Sequence, residues 1–277
     1  MQPIYQFGGD GPLIHLATAN GFPPQIYKPL VDPLTEQYRV VSLPPRALWP
    51  GATVPAQWVN WNNGIAQELI TGMRDHDLHD LIGIGHSIGG ITTLIAAVTE
   101  PERFKAVILL DPTILPKAYL WTVTFLRLFG IRMSHGLAER AENRRTEFES
   151  VDDAYTYFRG KKLFADWPDE TVRLYAESLV AGNGSMTLAW PREWEAYYFR
   201  TLYTGTWREL PKLRGKVPVL TIRGQRSNTL FPKAAARMRR ILPQMAYAEI
   251  AGHGHLFPQS APDQTRQIIV EWLASLP

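Results

Sequence analysis

The stretch Gly83-Ile84-Gly85-His86-Ser87-Ile88-Gly89-Gly90 predicts a β-strand that turns sharply into a helix. It overlaps the apolar run at 81–85 and opens a helical segment at 88–100. Glycines at 85 and 89 let neighbouring backbone approach more closely than a Cβ would allow. A serine on such a turn is strained, and its hydroxyl projects from the carboxyl edge of the sheet. Ser87 is therefore the candidate nucleophile; the alternative interpretation is a glycine-rich packing turn.

Further apolar runs on either side of this turn extend the pattern of alternating strands and helices. Runs of four to six apolar residues without alternation are typical of strands buried on both faces. They lie at 12–16, 39–43, 81–85, 106–110, 218–222 and 247–250. Helical patterns lie at 58–74, 88–100, 233–242 and 263–274. The alternation predicts an α/β fold with a mostly parallel central sheet flanked by helices.

One interval, 112–203, breaks this rhythm. It has no convincing buried strand, but it has helical patterns rich in aromatic residues and arginine. We interpret it as a helical insertion that packs over one end of the sheet. Most of its aromatic side chains are expected to form its own core, and a minority to face a substrate cavity.

The composition is typical of a globular protein and excludes several kinds of chemistry. The 277 residues include 29 basic and 26 acidic side chains, a net charge of +3, with no single basic block. We interpret Arg237, Arg239 and Arg240 as helix surface and expect no nucleic-acid partner. Without cysteine, the chain has no disulfide, thiolate nucleophile or cysteine-ligated metal. Neither a signal peptide nor a membrane-spanning run is visible, so we expect a cytoplasmic protein without stable membrane insertion.

Two histidines near the C-terminus compete for the role of general base. The chain reads Ile250-Ala251-Gly252-His253-Gly254-His255-Leu256-Phe257-Pro258 after its last predicted strand. A histidine in that loop can reach a serine at the same sheet edge. We favour His255, and we expect His253 to be a loop residue or a partner behind the site. His86, at the variable position of the turn, is expected to pack beneath the serine.

Other polar clusters give no indication of a metal or cofactor. The run Asp75-His76-Asp77-Leu78-His79-Asp80 has metal-ligand residue types. It lies at the opposite edge from the expected site, so we interpret it as a solvated turn. No glycine-rich dinucleotide or phosphate loop follows a strand. We therefore expect no metal and no cofactor.

The order of serine turn, helical insertion, penultimate strand and late Gly-His resembles the α/β-hydrolase superfamily over nearly the whole chain. Ala19-Asn20-Gly21-Phe22-Pro23-Pro24 is similar to the His-Gly-Phe-Pro loop of that superfamily, particularly a branch with His-Ala-Asn-Gly-Phe-Pro. The resemblance implies an oxyanion hole made by the backbone N–H groups of Phe22 and Ile88. Thr18 stands where that branch has histidine, a change that leaves the backbone donor in place.

The third member of the triad is less well defined. The superfamily usually has an acid after the penultimate strand, but Gly224-Gln225-Arg226-Ser227-Asn228 has an amide at that position. In the serine-protease triad such a substitution lowers kcat by about 10⁴. Some members have the acid after the preceding strand, where this chain has Asp111. We favour Asp111, with Asn228 as the alternative and a helix-capping role for Asp111 as the structural interpretation.

The resemblance implies an α/β-hydrolase core at 1–111 and 204–277 and a helical cap at 112–203. The expected activity is that of a carboxylesterase-like serine hydrolase acting on a small, largely apolar ester. A lactone, thioester or carbon–carbon bond would need the same residues. Rival interpretations are a catalytically silent binder of an apolar ligand and an interfacial lipase with 118–129 as an amphipathic lid, although an apolar segment of this kind is more typically core. The sequence does not define the oligomeric state.

Overall fold

The structure is a computed structural model that describes residues 2–55, 64–129, 136–181 and 185–277. Its strands are β1 (Tyr5–Gly8), β2 (Leu13–Ala17), β3 (Arg39–Ser42), β4 (Leu81–His86), β5 (Phe104–Leu110), β6 (Glu147–Phe148), β7 (Val180–Ala181), β8 (Met186–Thr187), β9 (Val219–Gly224) and β10 (Ala246–Ile250). The α-helices within the described ranges are α1 (Lys28–Val31), α2 (Ile65–Asp75), α3 (Ile88–Thr99), α4 (Lys117–Leu128), α5 (Gly136–Glu142), α6 (Val151–Arg159), α7 (Asp169–Glu177), α8 (Arg192–Arg200), α9 (Thr206–Glu209), α10 (Pro232–Ile241), α11 (Phe257–Ser260) and α12 (Pro262–Ala274).

The central sheet has the strand order β1-β3-β2-β4-β5-β9-β10. Its pairings are parallel except for β1, which runs antiparallel to β3 at one edge. In the middle of the sheet Ile84 of β4 lies opposite Leu16 of β2 and Ile108 of β5. Because parallel strands end at a common edge, the loops after β2, β4, β5, β9 and β10 meet there.

Helices cover both faces of this sheet, which explains why its inner strands β2, β4 and β5 are mostly apolar. Leu109 of β5 packs in an apolar cluster that includes residues of α2, α3 and α10. Its neighbour Ile108 packs in a second cluster, which includes residues of α1 and α12. Adjacent residues of a strand point to opposite faces, so both faces need apolar side chains. The predicted fold, a mostly parallel sheet between helices, is confirmed.

The six predicted strands all occur, and each begins and ends within two residues of its predicted bounds. Three predicted helices are likewise present as α3, α10 and α12. The predicted helix at 58–74 is represented by α2, which begins at Ile65, while 58–63 lie outside the described residues. Strand β1 was not predicted, because it is a half-exposed edge strand without a continuous apolar run.

The stretch between Asp111 and Tyr203 contains α4 to α8 and a small antiparallel sheet with the strand order β6-β8-β7. These three strands were not predicted, since two residues are too short to show a periodic pattern. Many aromatic side chains of this stretch are buried and touch one another, as expected for its own core; they include Phe148, Phe158, Phe164, Trp167 and Tyr175. The division into a core at 1–111 and 204–277 and a cap at 112–203 stays a prediction.

Helix α4 has one buried and one exposed apolar face. Leu120 and Val123 are buried. Four large apolar side chains on the other side are between 59% and 78% exposed; they are Trp121, Phe125, Leu128 and Phe129. The interpretation of 118–129 as core is therefore wrong for these four residues. None of the helices in the described ranges combines the length and apolar character that a bilayer crossing requires.

Candidate active site

Ser87 lies on the sharp turn between β4 and α3, as predicted. Its backbone has φ 58° and ψ −115°, a strained conformation for a residue with a Cβ. The Ser87 N–H donates to the Leu110 carbonyl at 3.0 Å, which ties the turn to the end of β5. A Cβ at Gly89 would lie 2.2 Å from the Ala17 carbonyl oxygen, so α3 can pack against the β2 loop only with glycine there. The local sequence therefore holds the serine at the carboxyl edge of the sheet.

His255 follows β10 and lies within reach of the serine. The Ser87 Oγ donates to His255 Nε2 at 2.9 Å. His253 instead contacts the Ser260 hydroxyl through its Nδ1 at 2.8 Å. Of the two competing histidines, the geometry brings His255 to Ser87. A Cβ at Gly224 would lie 2.2 Å from the Gly254 carbonyl oxygen, so the glycine allows the β9 loop to pack closely against the histidine loop.

Asp111 lies directly after β5 and is fully buried. Its Oδ2 is 2.6 Å from His255 Nδ1. The carboxylate also accepts from the Gly224 N–H at 3.2 Å and from the Ser227 hydroxyl at 2.5 Å. An ionised carboxylate only accepts, so His255 Nδ1 must carry the proton and Nε2 is free to accept from Ser87. The three side chains thus form one continuous series of hydrogen bonds, while their catalytic roles stay a prediction.

Asn228, the alternative third member, is not part of this series of hydrogen bonds. It is exposed, and its Oδ1 accepts a long hydrogen bond of 3.4 Å from Thr229 Oγ1. Its neighbour Ser227 instead provides the loop's contact with the site. The Ser227 hydroxyl donates to Asp111 and accepts from the N–H groups of Thr229 and Leu230. A short polar residue beside the expected acid position was the only sequence signal for this contact.

Phe22 and Ile88, the predicted oxyanion donors, lie on two different loops of this edge. Ile88 is the first residue of α3, so its N–H is not used by the helix's own hydrogen bonds. The Phe22 N–H donates to the Ala19 carbonyl at 3.2 Å. It would therefore have to share its hydrogen with an oxyanion or leave this turn. The oxyanion role of both amides stays a prediction.

Thr113 is a contact of the nucleophile that the sequence reasoning missed. Its Oγ1 lies 3.3 Å from Ser87 Oγ, and its N–H donates to the Ser87 carbonyl at 3.1 Å. Because Ser87 gives its own proton to His255, the Thr113 hydroxyl is the donor in this pair. A threonine directly after the Asp111-Pro112 pair has no distinctive pattern, so only the structure reveals this contact.

The loop that contains Phe22 is held by side chains from the 112–203 stretch. Asn20 Nδ2 donates to the Glu195 carbonyl at 2.9 Å, and the Tyr175 hydroxyl donates to the Gly21 carbonyl at 3.3 Å. Arg144 joins these contacts by donating to the Glu195 carboxylate at 2.5 Å and to Tyr175 at 2.7 Å. Some of the aromatic and charged residues of this stretch therefore support the loop.

A cavity lies beside the start of α3. Its lining is mostly apolar and includes Leu69, Ile88, Trp190 and Tyr198. Polar side chains also line it; they are Gln2, His15, Thr18, Glu68 and Thr92. The Thr18 hydroxyl is buried and has no hydrogen-bond partner within the described ranges. This residue type, where the similar branch has histidine, leaves a small polar group at the cavity wall.

A strand–serine–helix turn, a hydrogen-bonded histidine and a buried aspartate on a parallel sheet are features of α/β hydrolases. The chain belongs to the alpha/beta hydrolase family, whose model matches residues 13–268. Membership of this family supports hydrolase activity.

The chain is similar to several proteins named as hydrolases or lactonases. It is 22% identical to 2-(acetamidomethylene)succinate hydrolase of Mesorhizobium japonicum over 272 residues, which are 96% of this chain and 89% of the relative. A crystal structure of E-2-(acetamidomethylene)succinate hydrolase matches with a TM-score of 0.82 and 20% identity, covering 98% of this chain and 94% of that one. The enol-lactonase from Burkholderia xenovorans LB400 matches with a TM-score of 0.68 and 17% identity, covering 99% and 96%. At these identities the structural likeness concerns the fold.

Proposed function

We propose that this chain is a serine hydrolase that cleaves a carboxylic ester, or a related acyl bond, of a small and largely apolar substrate. The observation that carries the proposal is the series of hydrogen bonds from Ser87 Oγ through both nitrogens of His255 to the Asp111 carboxylate. Serine alone is a poor nucleophile, and a base in this geometry activates it.

In the first half-reaction, Ser87 Oγ forms a bond to the substrate's carbonyl carbon while its proton passes to His255 Nε2. The electron pair of the C=O bond moves to oxygen and gives a tetrahedral oxyanion. Asp111 balances the charge of the imidazolium and holds its orientation through Nδ1. When the tetrahedral intermediate collapses, the bond to the leaving alcohol breaks and His255 protonates that alcohol. The product of this half-reaction is an acyl-enzyme on Ser87.

The oxyanion would be stabilised by the N–H groups of Ile88 and Phe22. The positive end of the α3 dipole adds to the Ile88 contribution. Loss of one such donor typically lowers kcat by about 10²–10³. For Phe22 the gain is smaller to the extent that its hydrogen stays with Ala19.

In the second half-reaction, water takes the place of the alcohol. His255 removes a proton from water as its oxygen attacks the acyl carbon, and the tetrahedral intermediate releases Ser87 and a carboxylic acid. His255 returns its proton to Ser87 Oγ. Each step uses side chains and backbone amides of this chain only, so the proposal requires no cofactor.

The substrate class rests on the cavity beside α3 and on the similar proteins. Ile88, the residue after the nucleophile, lines this cavity, whose mostly apolar wall suits an apolar group, while His15, Thr18 and Glu68 are among its polar lining residues. The names of the similar proteins, a 2-(acetamidomethylene)succinate hydrolase and an enol-lactonase, differ in the bond they imply. An amide, lactone or thioester therefore belongs in the first substrate panel beside simple esters.

A catalytically silent binder is less favoured. Its main support was the amide of Asn228 at the usual acid position. The carboxylate of Asp111, 2.6 Å from His255 Nδ1, argues against that reasoning because the imidazole has a charged partner.

A fluorophosphonate probe tests the proposal. We expect the probe to modify Ser87, located by mass spectrometry, and the protein to hydrolyse p-nitrophenyl esters with a preference for one chain length. Ser87→Ala should abolish both, whereas Ser275→Ala in the C-terminal segment should change neither. Labelling at another residue, or ester turnover retained in Ser87→Ala, would contradict the proposed nucleophile.

A further inference from the structure

One chain of buried hydrogen bonds links three loops of the site. The Ala19 N–H, in the loop after β2, donates to the Tyr27 hydroxyl at 3.0 Å. Tyr27 Oη lies 2.7 Å from Nδ1 of His86, the residue before the nucleophile. His86 Nε2 lies 3.0 Å from the backbone carbonyl oxygen of His255. Both side chains in the middle of this chain, Tyr27 and His86, are fully buried.

For a neutral His86, the donors and acceptors of these hydrogen bonds allow one arrangement. The His255 carbonyl can only accept, so His86 Nε2 carries the hydrogen. Nδ1 of a neutral ring is then an acceptor, and the Tyr27 hydroxyl must donate to it. The Tyr27 oxygen still has a lone pair, which accepts from the Ala19 N–H. A neutral His86 is consistent with its burial, which, together with the neighbouring His255, lowers its pKa well below the ordinary value.

Packing restricts the same residues. The His86 ring lies 5.1 Å from the His255 ring and 6.4 Å from the Phe257 ring, measured between centroids. The Tyr27 ring meets the His86 ring edge-on at 5.9 Å. His86 is also the last residue of β4, a central strand of the sheet. These hydrogen bonds therefore connect two loops to the end of a central strand.

We propose that His86 and Tyr27 are positioning residues. They hold the loop that contains His255 and the loop that contains Phe22 in place relative to Ser87. This inference rests on the proposed hydrolase function. His86 fixes the backbone of the residue whose ring takes the serine proton, and Tyr27 fixes the backbone three residues before the Phe22 amide. A displacement of about 1 Å in such a site can lower the rate about 10²-fold, so this chain is expected to affect kcat more than KM.

Three variants and one control test these hydrogen bonds. For each protein, kcat, KM and the rate of fluorophosphonate labelling are measured per folded molecule. His86→Leu removes both hydrogen bonds, and we expect kcat to fall about 10²-fold with KM changed by less than about threefold. Tyr27→Phe removes the hydrogen bonds to Ala19 and His86 but leaves the one from His86 to the His255 carbonyl, and the expected fall is about tenfold. His86→Gln retains one donor and one acceptor and should keep kcat within about tenfold of the unaltered protein. As a control, Tyr38→Phe should leave kcat, KM and the labelling rate unchanged, because Tyr38 packs against the same apolar cluster as Tyr27 but is not part of these hydrogen bonds.

The outcomes separate a positioning role from a structural one. If His86→Leu and Tyr27→Phe lower only the unfolding temperature and leave kcat and the labelling rate within twofold, the proposal is overturned. The same holds if His86→Gln is as impaired as His86→Leu.

Nuclear magnetic resonance of ¹⁵N-labelled histidine tests the chain without any turnover. We expect His86 in the neutral Nε2–H form at pH 7.5, and a shift of the His255 signals in Tyr27→Phe. An Nδ1–H form of His86 at that pH would overturn the inference even in a protein that labels at Ser87. If the unaltered protein fails to label, the proposed hydrolase function fails, and the resonances alone then decide whether the three loops are coupled.

Discussion

Ser87 and Asp111 both have a backbone conformation that residues with a Cβ rarely adopt, with φ of 58° and 41°. Each such residue costs of order 1–3 kcal/mol and persists only where its surroundings enforce it. Here the neighbouring strands do so, because the Ser87 N–H donates to Leu110 and the Asp111 N–H donates to Ile222 at 2.8 Å. Among the described residues, Asp77 and Asp80 in the turn before β4 also have a positive φ, so Ser87 and Asp111 are two of four such positions and the two that face His255.

The choice between Asp111 and Asn228 gives the first prediction at the scale of residues. Asp111→Asn should lower kcat by about 10⁴, because an amide neither balances the imidazolium charge nor enforces the Nδ1–H form. Asn228→Ala should leave kcat within about twofold, because that side chain is exposed and contacts Thr229. Steady-state kinetics on a p-nitrophenyl ester measures both. Loss of activity in Asn228→Ala with activity retained in Asp111→Asn would reverse the assignment.

Thr113 gives a second prediction at this scale. Thr113→Val keeps the shape of the side chain and removes the hydroxyl that lies 3.3 Å from Ser87 Oγ. The contact is long for a hydroxyl pair, so we expect the labelling rate and kcat/KM to fall about threefold to tenfold. Thr113→Ser should restore most of the loss. Equal rates in the valine and threonine proteins would show that the contact has no role in the reaction.

What the sequence could predict about the site follows from how local each signal is. Ser87 and His255 belong to short motifs that begin where a strand ends, so their positions at a common sheet edge follow from the order of strands. Asp111 could be predicted from the same logic, but its competition with Asn228 could not be decided. The contacts of Ser227, Thr113 and Tyr27 join loops that are far apart in the chain and depend on side-chain packing, which no local pattern specifies.

At the scale of elements, strands buried on both faces were predictable because their composition differs from everything around them. Edge strand β1 and the two-residue strands β6, β7 and β8 lack that composition. Helix α4 shows the opposite problem. Its apolar residues indicated core, yet half of them face outward, and an apolar pattern alone does not reveal which face has a partner.

Helix α4 gives a prediction about stability. Phe125→Ser combined with Leu128→Ser should change the free energy of unfolding by less than about 1 kcal/mol, because both side chains are more than half exposed. Leu120→Ala, on the buried face, should cost about 2–5 kcal/mol. Urea denaturation monitored by circular dichroism measures both proteins. A double variant as unstable as Leu120→Ala would mean that the exposed face is covered in solution.

At the scale of the whole molecule, burial of histidine in the sheet links folding to pH. His15 of β2 is 1% exposed, and its Nε2 accepts from the Leu43 N–H at 3.1 Å. Its proton is therefore on Nδ1 in a neutral ring. Burial lowers the pKa of His15 from the ordinary 6.5 to about 4. The pKa of His86 is lowered too, and burial is again the main cause. The folded protein thus resists protonation at two histidines that the unfolded chain would protonate readily.

This difference predicts the pH dependence of stability. A histidine whose pKa is lowered by folding contributes its full stability above pH 6.5, and that contribution is lost as the pH falls towards 4, because only the unfolded chain takes up the proton. One pKa unit corresponds to about 1.4 kcal/mol, so His15 alone should cost about 3 kcal/mol of unfolding free energy over this interval.

His15→Gln, whose amide oxygen can still accept from Leu43, should show a shallower loss when urea denaturation is compared at pH 7.5 and 4.5. The matched variant His79→Gln, at a side chain that is 61% exposed, should lose stability as steeply as the unaltered protein. Parallel losses in the His15 and His79 variants would contradict the assignment of this acid sensitivity to His15.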